Sequence, residues 1–334
     1  MCGPVAAADH DPLFASHDPL QLVIEAPWSE LIRRKLKDPE VGSIVRYREE
    51  SGDEVEVQVK IGTRGRSRLD HCKFPPLQLN FKRKQVLGTL FAGQNKLKLV
   101  SHCKPGLKHA AWVRQEYLIY RIYNDLTNAS FRARWLTVEY RDTKQDGKAE
   151  ARPAFLIEAE GRLADRLSME RVRLAKLDPS SLDGTQASLV ALFHYMIGNT
   201  DWSALGSTGD EDCCHNGQPL VEPGAQTGYI VVPYDFDQAG LINTDYAAPS
   251  EKLRIRSVRT RLFRGLCVFN DELPETISLF NDQRSAIYAL IEDAELSDRA
   301  RNTMRRYLDE YYEIINDPAK LEKQVTGKCR GGRA

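Results

Sequence analysis

Asp201, Asn216 and Asp235 stand in an order that suits the handling of phosphate. Asp201 lies behind an apolar run in the stretch "MIGNTDWSALGSTGDEDCCHNGQPL", and His215 and Asn216 close the same loop. Asp235 and Asp237 end the β-branched run "YIVVPYDFD". Phosphoryl transfer asks for few protein groups. A carboxylate orients the acceptor hydroxyl and takes its proton, an amide and a second carboxylate hold a divalent metal, and a lysine steadied by a helix glutamate neutralises phosphate. The metal ligands are hard oxygens because Mg²⁺ prefers them. The chain offers each part in series: Lys98 or Lys96 in "NKLKLV", Glu116 shortly after, Asp201 with Asn199 beside it, Asn216, then Asp235 with Asp237. Asp201 and Asn216 are 216 − 201 = 15 positions apart. The pattern H-R-D-x-x-x-x-N has about five, so the loop would carry an insertion, "SALGSTGDEDCC", of the polar kind that surfaces tolerate.

Each residue also has an ordinary structural reading. Asn199 and Asp201 are common turn and cap formers. Asp235 could end a strand, Lys98 could lie on a solvated strand face, and Glu116 could pair with Arg114 or Arg121 on a helix. "DEDCCH" invites a metal site built from Asp212, Cys213, Cys214 and His215, but adjacent cysteines point to opposite sides and rarely share one ion. "RIRSVRTRLFR", Arg254 to Arg264, reads either as a solvated face with buried stems or as a cradle for an anionic substrate.

The elements that must position these groups fall into two parts. From Leu20 to about Lys108, "QLVIEAP", "SIVRYRE", "EVEVQVKIG", "LQLNFKRK" and "NKLKLVSH" alternate with period two and read as strands. "GTRGRSR", with Gly62, Arg64 and Gly65, is a loop between strands. "HAAWVRQEYLIYRIYNDLT" has apolar residues at helical spacing, and "RWLTVEYRDT" and "ARPAFLIEAE" are two further strands. From Gly161 the pattern is mainly helical, through "GRLADRLSMERV", "DGTQASLVALFHYMIG", "ELPETISLFNDQRSAIYALIEDA" and "SDRARNTMRRYLDEYYEIIND". Pro318 falls near the end of the last long helix, and "GKCRGGRA" reads as a frayed tail. The expected organisation is a terminal segment over 1–19, a β-rich N-lobe with one helix over 20–160, a mainly helical C-lobe over 161–320, and a tail over 321–334: one α+β, two-lobed unit with a cleft.

Composition narrows the partners. The chain has 334 residues, 47 basic and 47 acidic, so its bulk charge does not steer it to nucleic acid. No apolar stretch approaches the length of a membrane span. "MCGPVAAADHD" reads either as the tail of a trimmed signal peptide or as a disordered terminus. The seven cysteines form no C-x-x-C pair. In an exported protein, Cys72–Cys103 and Cys267–Cys329 would join separate segments as disulfides. In a cytosolic one they would be small buried hydrophobes. Export is slightly favoured.

"VQVKIGTRGRSRLDHCKFPPLQLNFKRK", "NKLKLV" and "YDFD" together resemble the spore-coat-protein CotH kinase-like family, and "IGNTDW…HN…YD" is similar to the loop of HipA-type kinases, G-N-x-D-x-H-x-x-N before a Tyr-Asp. The resemblance covers residues 20 to 315 and implies a protein-kinase-like fold. It implies transfer of the γ-phosphate of ATP, with Mg²⁺ or Mn²⁺, to a protein Ser/Thr hydroxyl. By position, Asp201 matches the catalytic-loop Asp, Asn216 the metal-binding Asn and Asp235 the metal Asp, with Asp237 assisting. Lys98 matches the ATP lysine, with Lys96 its rival and Glu116 its partner; Gly62, Arg64 and Gly65 would face phosphates. The sequence departs from the pattern in the inserted loop, in Asp237 where a glycine would follow "DF", and in lacking G-x-G-x-x-G. Two other readings stand beside it: a nucleotide-free scaffold or binding module, and a metal-dependent hydrolase using the Asp and His cluster.

Overall fold

The computed structural model describes residues 11–34, 40–65, 67–145, 149–207 and 212–331. The chain divides into two units, Met1–Val113 with Arg132–Ala159, and Arg114–Phe131 with Glu160–Ala334.

Alternation of apolar and polar residues builds the first unit. Its elements are β1 (Leu20–Ala26), α1 (Trp28–Arg34), β2 (Val41–Arg48), β3 (Glu54–Thr63), α2 (Ser67–His71), β4 (Leu77–Phe81), β5 (Lys96–Ser101), the start of α3 (Leu107–Leu126), β6 (Ala133–Asp142) and β7 (Ala149–Ile157). Successive strand side chains point to opposite faces. Ile24, Val45, Val57, Ile61, Leu79, Leu97, Leu99, Leu136 and Leu156 therefore share one interior, and all are buried. Each contributes about 1.5–3 kcal/mol by leaving water.

The strands close on themselves in the order β1-β2-β3-β4-β5-β7-β6. Every pairing is antiparallel except the closing one, where β1 runs parallel to β6 from Leu20↔Leu136 to Ala26↔Asp142. The closed barrel overturns the expected two-lobed, protein-kinase-like fold with its β-rich N-lobe. Closure leaves no sheet edge exposed, and it depends on a pairing between distant segments that no local pattern signals. Leu13 and Phe14, ahead of β1, already pack into this core. Residues 1–10, the rest of the expected terminal segment, lie outside the described residues. Cys72 and Cys103 form a disulfide across 31 positions.

The second unit is built around one apolar helix. It holds the rest of α3, then α4 (Glu160–Leu167), β8 (Glu170–Arg171), α5 (Gly184–Ile197), β9 (Gly217–Val221), β10 (Ile230–Pro233), α6 (Leu273–Asp282), α7 (Arg284–Glu292), α8 (Asp298–Ile315) and α9 (Pro318–Gln324). The strands form a small sheet in the order β10-β9-β8. Asp183 caps α5 by accepting the Gln186 N–H at 2.8 Å. Every residue from Ser188 to Ile197 is buried, so beyond its first turn no face of α5 is left for solvent. One expectation changes here: the helical stretch after Leu273 is broken at Gln283 into α6 and α7. Pro318 falls just past the end of α8, as expected, and opens α9 with Asp317 as its cap, because a first-turn proline sacrifices no hydrogen bond.

The segment after α9 is tied down, not frayed. Val325 is buried, Arg330 N–H donates to Gly265 O at 2.8 Å, Cys267 N–H donates to Arg330 O at 2.9 Å, and Cys267 is bonded to Cys329. Residues 332–334 lie outside the described residues.

Candidate active site

The site begins where α5 stops. Gly198 takes the left-handed conformation, φ 65°, that ends the helix. A Cβ there would lie 2.0 Å from the Tyr307 hydroxyl, so glycine is required twice over. The chain then turns through Asn199, whose Oδ1 accepts the Asp201 N–H at 2.9 Å. Trp202 stacks on His194 at 4.4 Å and 12°. Arg264 donates to the carbonyls of Thr200 and, at 2.7 Å, Trp202. Burial pushes the Arg264 guanidinium down to about 10; Arg330 adds to the shift and Asp201 opposes it. The backbone on either side of Asp201 is thus held by groups that cannot easily move.

The facing wall comes from the β9–β10 hairpin. Gly217 pairs with Pro233, and the Tyr234 N–H donates to Asn216 O at 3.1 Å, which sets Tyr234 opposite Asn216 with Asp235 next along the chain. Asn216 (φ 52°) and Asp235 (φ 63°) both lie in the left-handed region. Asn and Asp tolerate it better than other side-chain-bearing residues, and single residues held there cluster at functional sites. The Asp235 N–H donates to the Tyr120 hydroxyl at 3.0 Å, and Phe236 is fully buried against Tyr120 and Phe193. Asp237 is buried, and its carbonyl accepts from Thr244.

The two walls meet through side chains. Asn216 Nδ2 donates to the Asp201 carbonyl at 2.7 Å and to Asp201 Oδ2 at 3.0 Å. His215 Nε2 lies 2.7 Å from Asp201 Oδ1. The amide orientation of Asn216 is unambiguous, because both partners can only accept. Both amide hydrogens are committed, so Oδ1 is the atom left to offer. Asp201 keeps 43% of its side-chain surface exposed and His215 30%, so the carboxylate remains reachable from solvent.

Asn199, Asp201, His215 and Asn216 come together in the second unit; Asp235 follows the end of β10 by two residues, and Asp237 lies two residues further on. Glu116 is buried in the part of α3 that belongs to this unit. Lys96, Lys98, Gly62, Arg64 and Gly65 belong to the barrel unit. Lys96 is exposed and Lys98 half-buried, both on the face of β5 opposite Leu97 and Leu99. Gly62 pairs with Gln78 inside the ladder. The Arg64 N–H donates to Pro76 O at 2.9 Å and its Nε to Leu77 O at 3.2 Å, which gives the side chain a structural duty. Gly65 sits at φ 81°.

Sequence reasoning missed three features. His215 is a direct partner of Asp201, and its place beside Asn216 was the signal. Arg264 braces the Asp201 turn, and Arg259 and Arg261 lie over the Tyr307 ring, so three of the five arginines of the expected anionic cradle have structural partners. Cys213 and Cys214 are bonded to each other, with both sulfurs against the Ala204 carbonyl at 3.8 and 3.2 Å. Bonded sulfurs are poor ligands, so the "DCCH" metal reading fails. Residues 208–211 of the inserted loop lie outside the described residues. Among the described residues no three His, Cys, Asp or Glu side chains gather to hold a metal, and no helix is long and apolar enough to cross a membrane. No protein-family model matches the chain, and no curated protein matches it.

Proposed function

We propose that the second unit carries a metal-dependent phosphoryl-transfer site that moves the γ-phosphate of ATP to a protein Ser/Thr hydroxyl. The observation that carries the reading is the Asn216 amide fastened to both the carbonyl and the carboxylate of Asp201. That contact fixes a base and a hard-oxygen donor in one rigid pair. Asp201 orients the acceptor hydroxyl and takes its proton. Asn216 Oδ1 and the Asp235 carboxylate are the metal donors. Two protein oxygens suit Mg²⁺ or Mn²⁺, because Mg²⁺ keeps several waters and takes other ligands from substrate phosphates. When bound, the metal neutralises charge on the phosphates. Tyr120 and the buried Phe236 hold Asp235 in place. The order of Asp201, Asn216 and Asp235, which resembles that of the HipA-type loop, is in keeping with the chemistry.

Autophosphorylation with labelled ATP and Mg²⁺ tests the reading. Asp201→Asn is expected to lower the rate by about 10²–10⁴, with nucleotide affinity little changed. An Asp201→Asn protein as active as the wild type contradicts it.

The 2.7 Å approach of His215 to Asp201 favours a second reading, a hydrolase in which this pair activates water. It predicts cleavage of phosphate or ester substrates without ATP. The three disulfides support a location outside the reducing cytosol.

A further inference from the structure

The barrel unit holds a groove of about 600 Å³ on the side away from its core. That volume lies within the usual range for small-molecule sites. The registers Gly42↔Lys60 and Lys60↔Asn80 put these three residues side by side across β2, β3 and β4. Ile44 and Gln58 face each other two residues further along the same strands. This row alternates with Val45, Val57, Val59 and Ile61, which are buried in the barrel core.

The charges in the groove are unequal. Glu25 is occupied by Arg46 and, at 3.7 Å, by Arg141. Lys60 and Lys82 line the groove, both are exposed, and neither has an ion-pair partner among the described residues. Glu40 Oε2 accepts from the groove-lining Asn80 Nδ2 at 2.9 Å, so two lysines stand against one carboxylate and the balance is positive. Gln58, Gln85 and Thr143 supply amides and a hydroxyl, and Asn80, whose Nδ2 donates to Glu40, adds a carbonyl oxygen. Such groups both donate and accept, which matches a ligand whose hydroxyls do the same. Ile44 and the lysine stems give an apolar floor for a ring's C–H face. Gly42 opens the space: a Cβ there would meet nothing within 4 Å, and its φ is one that any residue adopts.

We propose that this groove binds a small polyhydroxylated anion, a sugar acid or a sugar phosphate, held by Lys60 and Lys82. The site is independent of the phosphoryl-transfer reading, since it lies wholly within the barrel unit.

Calorimetric titration of the full chain with glucuronate, glucose 6-phosphate, glucose and a polyglutamate peptide tests the proposal. Glucuronate or glucose 6-phosphate should bind with a Kd near or below about 1 mM, and glucose at least about tenfold more weakly. The tighter of the two anions names the source of the negative charge. Lys60→Gln and Lys82→Gln should each weaken binding about tenfold, because each removes a charge-assisted hydrogen bond. Gly42→Leu should abolish binding by filling the groove, with an unchanged melting temperature. Should Gly42→Leu fail to fold, the Lys60→Gln/Lys82→Gln double variant serves in its place. The proposal is overturned if neither anion binds at about 10 mM, if glucose binds equally well, if polyglutamate binds more tightly, or if affinity survives these variants.

Discussion

Strand β5 and the segment from α5 to β10 use their residues in opposite ways. In β5, Leu97 and Leu99 enter the barrel while Lys96 and Lys98 stay on the other face. Side chain by side chain, stability and surface are kept apart. In α5 every residue from Ser188 to Ile197 is buried, and the polar groups appear only after Gly198. There Asn199, Asp201, His215 and Asn216 form one hydrogen-bonded group, and Asn216 and Asp235 adopt left-handed backbone. Regular elements hold the fold, and the corners between them gather the polar groups.

Substitutions in the two regions should therefore fail differently. Asp201→Asn should cost activity by orders of magnitude while barely moving the melting temperature. Leu79→Ala, at a fully buried barrel position, should lose about 2–5 kcal/mol of stability, measured by urea unfolding, and leave the site's chemistry intact in protein that remains folded. A fall in stability for the first variant as large as for the second would erase the distinction.

The disulfides extend the comparison with smaller effects. Cys72–Cys103 closes 31 positions and Cys267–Cys329 closes 62. Replacing either pair by serines should cost about 3–4 kcal/mol through the freed unfolded chain. Cys213–Cys214 closes no loop, so its replacement should leave stability nearly unchanged. It directly precedes His215, and the loss should appear in turnover instead. Thermal melts and labelled-ATP assays on the three double variants separate the cases.

The smallest effect is a pH dependence. Burial, helped by Arg152, His109 and Arg68, holds His102 down at about 4. Between pH 4 and the ordinary histidine value of 6.5 the unfolded chain binds a proton that the folded one refuses. Stability from this group is complete above 6.5, falls as pH drops through that window by up to about 3 kcal/mol, and levels off below 4. His194 is shifted the same way, first by burial and then by Arg264. His102→Phe should flatten part of the acid limb in melting temperature against pH; an unchanged limb would count against this cause.

The sequence made some of this legible. "EVEVQVKIG" announces β3 through alternation, and "DGTQASLVALFHYMIG" carries a cap, an apolar run and a stop for α5. Asp201 and Asn216, singled out by their order in the sequence, are hydrogen-bonded despite the long loop between them. Barrel closure was not legible, because β1 and β6 pair residues 136 − 20 = 116 positions apart. Nor was the Arg264 brace, since an arginine among arginines looks like surface until its carbonyl partners are known. "DCC" read as insertion because adjacent cysteines seldom act together on one ion, a rule that says nothing about bonding to each other.

The proposed metal–nucleotide site rests on Asn216, fastened to Asp201, and on Asp235. The direct measurement is calorimetric titration of Mg-ATP into the wild type and Asp235→Ala at matched thermal stability. Metal-dependent binding is expected for the wild type and none for the variant. Equal Mg-ATP affinity in the two proteins would contradict the proposal.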